Sequence, residues 1–327
     1  MTASTHVDAP PKQVLRRMVE LACLAPSIHN TQPWTWRLDG DEAWLYADRD
    51  RQLPLEDPLG RNLVISCGAA LHHFQLAARA LGWRAEVDRL PEQEDPTLLA
   101  HIRLHRAPGA DAAEVLDAMR ARCTDRRRFT SWPVPEERLE ALCEEARNWD
   151  SVATPVLDMG TRFRLELTIR RALDLRALDT PASAEQRRWT GRGGKDGVPL
   201  QVVPDAPAGD DRLSRFGHGL LREAHDIRDE VESNDSLILL GGAADDPLSW
   251  LRTGEALSAL WIRASRSGLS VLPLSQPIEV PATLTELKAH VCDDLEPHLL
   301  VRIGWQAIGR SELPRTPRRP VDEVLRP

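Results

Sequence analysis

Two stretches of this chain resemble each other, and the similarity constrains the possible fold more than any other feature of the sequence. Residues 67–83 read CGAALHHFQLAARALGW, and residues 253–269 read TGEALSALWIRASRSGL. The two stretches align without a gap at an offset of 186 residues, so that Gly68 matches Gly254. Self-similarity at a fixed offset is the signature of a repeated structural unit. We therefore compared the rest of the chain with itself.

Two further pairs of segments match in the same order along the chain. Residues 15–22 match residues 139–146 at an offset of 124, and residues 98–104 match residues 299–305 at an offset of 201. Three matched segments in one order indicate an internal duplication rather than chance. The changing offset requires the second copy to carry an insertion, which covers about Ser151–Ser236 and which we interpret as a lid or a mobile arm.

The first copy has a readable order of elements. Apolar residues at helical spacing predict a helix over residues 12–25 that ends at Pro26. Residues 34–38 and 43–46 flank an Asp-Gly turn and predict a β-hairpin. A second helix is predicted over residues 67–81, and a strand over residues 98–104.

The first helix runs into an unusual corner, APSIHNTQPWTW, at residues 25–36. It carries the polar residues Ser27, Asn30 and Gln32. Such residues most often satisfy local backbone groups at a turn. The alternative is that their polar edges hold a flat ligand.

Two groups of arginines stand out in a chain whose net charge is −8. One precedes a predicted helix that begins with PEE, and it contains Arg122, Arg126, Arg127 and Arg128, with Thr124 among them. The other lies in the tail PRTPRRP, with Arg315, Arg318 and Arg319. Guanidinium groups with a threonine hydroxyl are typical of a phosphate site. A solvated basic linker is the alternative for the first group.

Composition excludes several classes of protein. The acidic balance argues against a general nucleic-acid binder, and no apolar run approaches the roughly 20 residues of a membrane span. Five scattered cysteines without CxxC spacing favour neither a disulfide framework nor a zinc site, and we expect no metal. Residues 1–12 lack the pattern of a signal peptide, so we expect a cytoplasmic protein. The glycine-rich run TGRGGKDG at residues 190–197 departs from a phosphate-loop motif and is interpreted as a flexible loop.

Taken together, the corner PSxxNxQPW, the arginine arm followed by PVPEERLEAL, the stretch GLSVLPLSQP and the tail RRPVDEVL resemble the nitroreductase superfamily of flavin enzymes. The resemblance is to its duplicated Acg-like branch. It implies an α+β, nitroreductase-like fold in which each half places helices around a mainly antiparallel sheet. The halves would be residues 1–120 and 121–327, packed as an intramolecular pseudo-dimer, and the chain is expected to be a monomer.

The resemblance also implies a flavin site. Its FMN phosphate would be held by the arginine arm and the tail, through Arg122, Thr124, Arg126 and Arg318 or Arg319. The flavin ring and ribityl chain would contact the corner, at Pro26, Ser27, Asn30 and Gln32. The ring edge would lie along Pro273, Ser275 and Gln276. His29, at a variable position of the corner motif, is expected to face solvent.

The comparison of the two copies predicts one flavin site per chain. At the three offsets, the counterparts of Ser275, Gln276 and Arg318 are Arg89, Leu90 and Asp117. The counterparts of Pro26, Ser27 and Asn30 are Asp150, Ser151 and Thr154. Each copy lacks the flavin residues that the other retains, so we expect one FMN per chain.

Two functions are consistent with such a site. The first is NAD(P)H-dependent reduction of a small-molecule acceptor, such as a nitroaromatic or a quinone, with the flavin rather than a side chain carrying the chemistry. The alternative is a non-turnover FMN-binding, storage or sensor protein whose insertion covers the flavin.

Overall fold

The computed structural model describes residues 9–91, 95–108, 112–127, 129–204, 235–292, 295–306 and 313–327. The helices in these residues are α1 (Lys12–Ala22), α2 (Arg61–Ala80), α3 (Ala112–Ala121), α4 (Glu136–Arg147), α5 (Met159–Leu178), α6 (Thr180–Trp189), α7 (Pro247–Arg266), α8 (Gln276–Glu279) and α9 (Pro281–His290). The strands are β1 (Trp34–Asp39), β2 (Glu42–Ala47), β3 (Trp83–Arg89), β4 (Leu98–Arg106), β5 (Val152–Pro155), β6 (Ser236–Gly242), β7 (Leu269–Leu274) and β8 (Glu296–Trp305).

The strands form two sheets with the same topology. The first has the order β1-β2-β4-β3 and the second the order β5-β6-β8-β7, and neighbouring strands in both are antiparallel. Both central strand pairs contain one register shift at the same place, after Leu45 in β2 and after Leu240 in β6. The predicted α+β class with antiparallel sheets is confirmed, and the repeated topology is consistent with a duplication.

The two halves meet where α2 packs against α7, and small residues allow the close approach. A Cβ atom on Gly254 would lie 2.8 Å from Cα of Gly68, and each glycine also faces a backbone carbonyl of the opposite helix. Four residues further along, His72 Nδ1 and Ser258 Oγ are 2.8 Å apart. Both pairs join residues 186 positions apart. Equivalent residues contact each other in this way along a two-fold axis, so the halves are arranged as a pseudo-dimer is.

The insertion lies between two neighbouring strands, at the place where the first sheet has a short hairpin turn. Residues 156–235 join β5 to β6, whereas residues 40–41 join the corresponding strands β1 and β2. The predicted insertion began at Ser151, but β5 belongs to the second sheet. The described part of the insertion contains α5 and α6, and residues 205–234 lie outside the described residues.

The end of the chain returns to the first half. Leu325 forms a parallel bridge with Trp36 of β1, whose amide donates to the carbonyl of Val324 at 2.7 Å. The tail thereby crosses from the second sheet to the first and passes the corner at residues 26–32. In the residues that the structure describes, no helix combines the length and the apolar character that crossing a bilayer requires.

Candidate functional site

A cavity lies between the two halves, beside the contact of α2 with α7. The space inside the cavity and its opening to solvent is about 730 Å³. Its walls come from the corner after α1, from α2 and α7, from the arm at residues 124–126 and from the turn between β7 and α8. The predicted site residues in its wall are Pro26, Ser27, Thr124, Arg126, Pro273, Ser275 and Gln276. Residues far apart in both halves are therefore brought together.

The corner after α1 has a strained backbone that other residues hold in place. His29, Asn30 and Gln32 all have positive φ angles, of 45°, 55° and 49°. Such angles are uncommon for residues other than glycine and need support from their surroundings. The hydroxyl of Ser27 accepts the amide proton of Gln32 at 2.9 Å, and that of Ser66 on α2 accepts the amide proton of Ile28 at 3.1 Å. The corner thus presents Pro26 and Ser27 to the cavity in a fixed geometry.

Asn30 and Gln32 are not part of the cavity wall, although they were predicted to contact the ligand. The amide nitrogen of Asn30 donates to the carbonyls of Gly197 at 2.9 Å and Pro317 at 3.0 Å. The amide group of Gln32 donates to the carbonyl of Lys195 at 3.0 Å. These side chains join the corner to the insertion and to the tail. The run at residues 190–197, interpreted as a flexible loop, is anchored here.

Two arginines next to the cavity retain N–H groups that have no hydrogen-bond partner among the described residues. Arg122 is buried, and its guanidinium lies over the ring of Trp261, which lines the cavity. Arg122 and Arg318 both donate to the carbonyl of Leu24, at 3.1 and 3.2 Å. Among the described residues, Nε and Nη1 of Arg122 and Nε of Arg318 have no hydrogen-bond partner, and no carboxylate pairs with either group.

The charges of these two arginines favour the binding of an anion. Burial, followed by the nearby charge of Arg318, lowers the pKa of Arg122 to about 9. Burial also lowers the pKa of Arg318 to about 10. Two cations held together in a poorly hydrated place are stabilised by an anion between them. The unused N–H groups supply charge-assisted donors of the kind that phosphate accepts.

The other predicted arginines differ in their surroundings. Arg126 lines the cavity and is 8% exposed. Arg127 forms a bidentate pair with buried Asp125, with bonds of 2.9 and 3.0 Å, and is therefore neutralised. Arg319 donates to the carbonyls of Gln32 at 3.0 Å and Glu323 at 2.8 Å, so it fastens the tail to the corner and does not reach the cavity wall.

The sequence did not single out the helical part of the cavity wall. Asn62, Ser66 and Ala69 on α2 and Trp261 on α7 lie in it. The repeat could have indicated them, because the two matched segments differ in residue type at these positions. At the offset of 186, Ala69 corresponds to Glu255 and Trp261 corresponds to Gln75. Trp132 and Trp189 are not part of the cavity wall. Trp132 is 67% exposed, and Trp189 stacks with the guanidinium groups of Arg51 and Arg192.

The corresponding place in the other half is filled with side chains. Glu255 takes the position of cavity-lining Ala69, and Arg89 takes that of Ser275. The two form a bidentate ion pair with both bonds at 2.8 Å, and the Glu255 side chain is fully buried. Gln75, in the position of Trp261, donates to Glu255 at 2.7 Å. Two long charged side chains, Glu255 and Arg89, therefore stand at the positions of the small residues Ala69 and Ser275.

A second ion pair closes the neighbouring part of this position. Arg252 stands where the cavity has Ser66, and it pairs with Asp150, which stands where the cavity has Pro26. At these equivalent positions, charged residues stand where the cavity wall has small and neutral ones. The loss of a second flavin site stays a prediction.

The chain is similar to mycobacterial proteins along nearly its whole length. It is 33% identical over 327 residues to a protein of Mycobacterium tuberculosis H37Rv provisionally named NAD(P)H nitroreductase Rv3131, covering 99% of this chain and 94% of that protein. It is 34% identical over 320 residues to a protein of the same strain provisionally named NAD(P)H nitroreductase acg, covering 95% of each. No family model matches the chain.

Solved structures give weaker likenesses. The FMN-dependent nitroreductase NfnB of Mycobacterium smegmatis, in complex with NADPH, matches with a TM-score of 0.38 and 16% identity over 66% of this chain and 98% of that one. A nitroreductase with bound FMN from Desulfitobacterium hafniense matches with a TM-score of 0.40 and 12% identity, over 64% and 95% of the two chains.

Proposed function

We propose that this chain, which belongs to the nitroreductase family, binds one FMN in the cavity between its halves and transfers electrons from NAD(P)H to a small-molecule acceptor. Relatives at 33–34% identity over nearly the full length carry the family assignment. The cofactor assignment rests on the cavity and on the two arginines beside it, which retain N–H groups without a partner among the described residues. We also propose that residues 1–120 and 121–327 are the two copies of the duplicated unit.

The residues present fit a flavin phosphate. Arg122 and Arg318 have donors without partners in the described residues, and Thr124 and Arg126 lie in the adjoining wall. These four residues were predicted from the sequence to bind the phosphate. They come from the arm and the tail of the second half. A doubly charged phosphate would offset the mutual repulsion of the two buried cations. The same anion would raise their pKa values again.

The remaining wall suits a flat, mostly apolar ring with a polar edge. Pro26 and Ser27 lie on one side, and Pro273, Ser275 and Gln276 on another. Gln276 is 2% exposed, and its side-chain oxygen has no hydrogen-bond partner among the described residues. An N–H group on a ring edge would satisfy this oxygen. FMN bound here would supply hydride transfer, and the protein would bind, orient and shield it.

The spectrum of the purified protein tests the proposal. We expect a flavin spectrum with one FMN per chain, and bleaching when NADPH or NADH is added without oxygen. A quinone or nitroaromatic should then restore the oxidised spectrum. Protein that stays colourless in excess FMN would refute the cofactor assignment. Two FMN per chain would refute the single-site proposal.

A second candidate is FMN binding without turnover, and the attachment of the insertion favours it. Asp196 pairs with Arg51 and Lys195 pairs with Glu323, so the insertion is fastened both to the first half and to the tail. This candidate requires the fastened insertion to limit the entry of a hydride donor to the flavin. Rapid anaerobic reduction of the bound flavin by NADPH would exclude this candidate, whereas bleaching by dithionite alone would support it.

A further inference from the structure

His29 lies in the wall of the cavity and not in solvent, where the sequence analysis expected it. It is 5% exposed and sits in the strained corner after α1, with a φ angle of 45°. Of the described residues that line the cavity, His29 and Arg126 have ionisable side chains. Arginine keeps its proton at physiological pH, whereas histidine can exchange one. His29 is therefore the residue in the described wall that is suited to deliver a proton.

Glu56 contacts the imidazole ring of His29. Its Oε2 lies 2.7 Å from Nε2 of His29, and both side chains are almost fully buried. A carboxylate in hydrogen-bond contact with an imidazole nitrogen fixes the orientation of the ring. Glu56 is fixed in turn, because its amide and that of Leu55 donate to one carboxylate oxygen of Glu185 on α6, at 2.9 and 3.1 Å.

Other charged groups surround this pair in the described structure. They come from four elements, namely the loop before α2, helix α6, the arginine arm and the tail, and they are Asp57, Glu185, Arg126 and Arg318. Arg318 reaches the corner through Asn30 Oδ1 at 3.1 Å. The carboxylate in direct contact with the His29 ring is that of Glu56.

We propose that His29 is a catalytic residue that protonates the electron acceptor, and that Glu56 is the residue that positions it. This proposal rests on the proposed function. A quinone that receives a hydride, which is one proton and two electrons, from the reduced cofactor becomes a hydroquinone monoanion. The His29 imidazolium gives its proton to the anionic oxygen, so that the quinone leaves as neutral hydroquinone. Neutral His29 then takes a proton from water.

The chain contains matched pairs that differ in location. His105 Nε2 lies 3.0 Å from Glu86 Oε2, and His101 Nε2 lies 3.1 Å from Glu42 Oε1. These pairs lie on strands β2, β3 and β4, outside the cavity wall. His105→Asn is therefore a control for the loss of an imidazole next to a glutamate. Asparagine suits position 29 as a replacement because it tolerates positive φ.

The test compares two acceptors after the flavin has been reduced with dithionite. Quinones take up protons, and ferricyanide takes up single electrons without a proton. We expect His29→Asn to lower the rate of quinone reduction about 100-fold, as the loss of a general acid does, and to change ferricyanide reduction less than twofold. His105→Asn should change neither rate. The FMN dissociation constant, measured by fluorescence quenching, should stay within threefold in both variants.

Glu56→Gln provides the second arm and remains informative if His29→Asn fails to fold. It keeps the side-chain shape and removes the carboxylate that orients the His29 ring, so quinone reduction should slow while ferricyanide reduction changes less than twofold. Glu86→Gln should change neither rate. Equal losses with both acceptors in His29→Asn or Glu56→Gln, or no loss with quinone, would each overturn the proposal. Failure of the proposed function is a different result, since wild-type protein would then bind no FMN or reduce no acceptor.

Discussion

Replacing Arg122 by methionine should stabilise the protein without ligand and weaken the binding of FMN. Arg122 is buried beside Arg318 and pairs with no carboxylate of the described residues, and its pKa is lowered to about 9. That is roughly three and a half pH units below the ordinary value of arginine, and each unit corresponds to about 1.4 kcal/mol. The charge therefore destabilises the folded protein by up to about 5 kcal/mol. Methionine fills a similar space and carries no charge.

The gain is smaller than this upper bound because the variant also loses an interaction. The hydrogen bond of Arg122 to the carbonyl of Leu24 contributes about 1.5–3 kcal/mol. We therefore expect Arg122→Met to raise the free energy of unfolding of the apo-protein by about 1–3 kcal/mol, in line with other apolar replacements of buried charges. Two lost charge-assisted bonds to phosphate should weaken FMN binding by about 2–4 kcal/mol, or roughly 30- to 1,000-fold.

Urea unfolding of apo-protein and a fluorescence titration with FMN measure the two effects. Arg127→Met is the matched control, because it leaves Asp125 buried without its partner and should destabilise the protein by about 3–5 kcal/mol. The stability advantage of Arg122→Met should narrow above pH 9, where folded wild-type protein releases the proton that unfolded arginine keeps. A destabilised Arg122→Met with unchanged FMN affinity would show that this arginine is structural, and the phosphate assignment would fall.

Three further predictions concern stability and are measured by urea or thermal unfolding. Burial raises the pKa of Asp57 to about 6, so ionisation of this carboxyl destabilises the folded protein as pH rises from about 4 through 6. Asp57→Asn should therefore raise the free energy of unfolding by about 1–3 kcal/mol at pH 7.5 and change it little at pH 4. Equal effects at the two pH values would contradict this prediction. Gly68→Ala should destabilise by more than about 2 kcal/mol because its Cβ would press on α7, whereas Gly193→Ala, with open space around it, should change stability by less than about 0.5 kcal/mol. Glu255→Gln leaves Arg89 partly buried without its charge partner and should destabilise by about 3 kcal/mol; a neutral result would show that the pair does not stabilise the filled position.

Elements with strong periodicity could be predicted from the sequence, and polar edge elements could not. The hairpin at residues 34–46 and the helix that begins after Pro135 lie where the patterns placed them. Strand β3 was missed because WRAEVDR is mostly polar, and its alternate residues are exposed at the edge of the sheet. The start of α2 was placed six residues late, because its first turn begins at Gly60 in a left-handed conformation and carries polar residues. Propensity gives no signal for a helix start that tertiary contacts stabilise.

The residues of the candidate site were only partly predictable for a related reason. A motif identifies residue types, but their partners depend on how distant segments meet. Arg318 and Arg319 are adjacent in sequence, yet one joins Arg122 beside the cavity and the other binds backbone carbonyls at Gln32. His29 was expected in solvent because nothing near it in sequence indicates Glu56, which reaches it from the loop before α2. Such pairings appear only once the chain has folded.

Under the proposed duplication, differences between the two halves give a physical reason why the chain would bind one cofactor rather than two. In a symmetric dimer each interface position occurs twice, so a substitution that fills one pocket fills both. Once the halves are covalently joined, Ala69 and Glu255 can differ although they occupy equivalent positions. Small residues and cations without a carboxylate partner, as found at the cavity, both lower stability. At the equivalent positions Glu255 and Arg89 form an ion pair. Under the proposed duplication, joining the copies would allow one half of the interface to stabilise the fold while the other half keeps the less stable arrangement that binding needs.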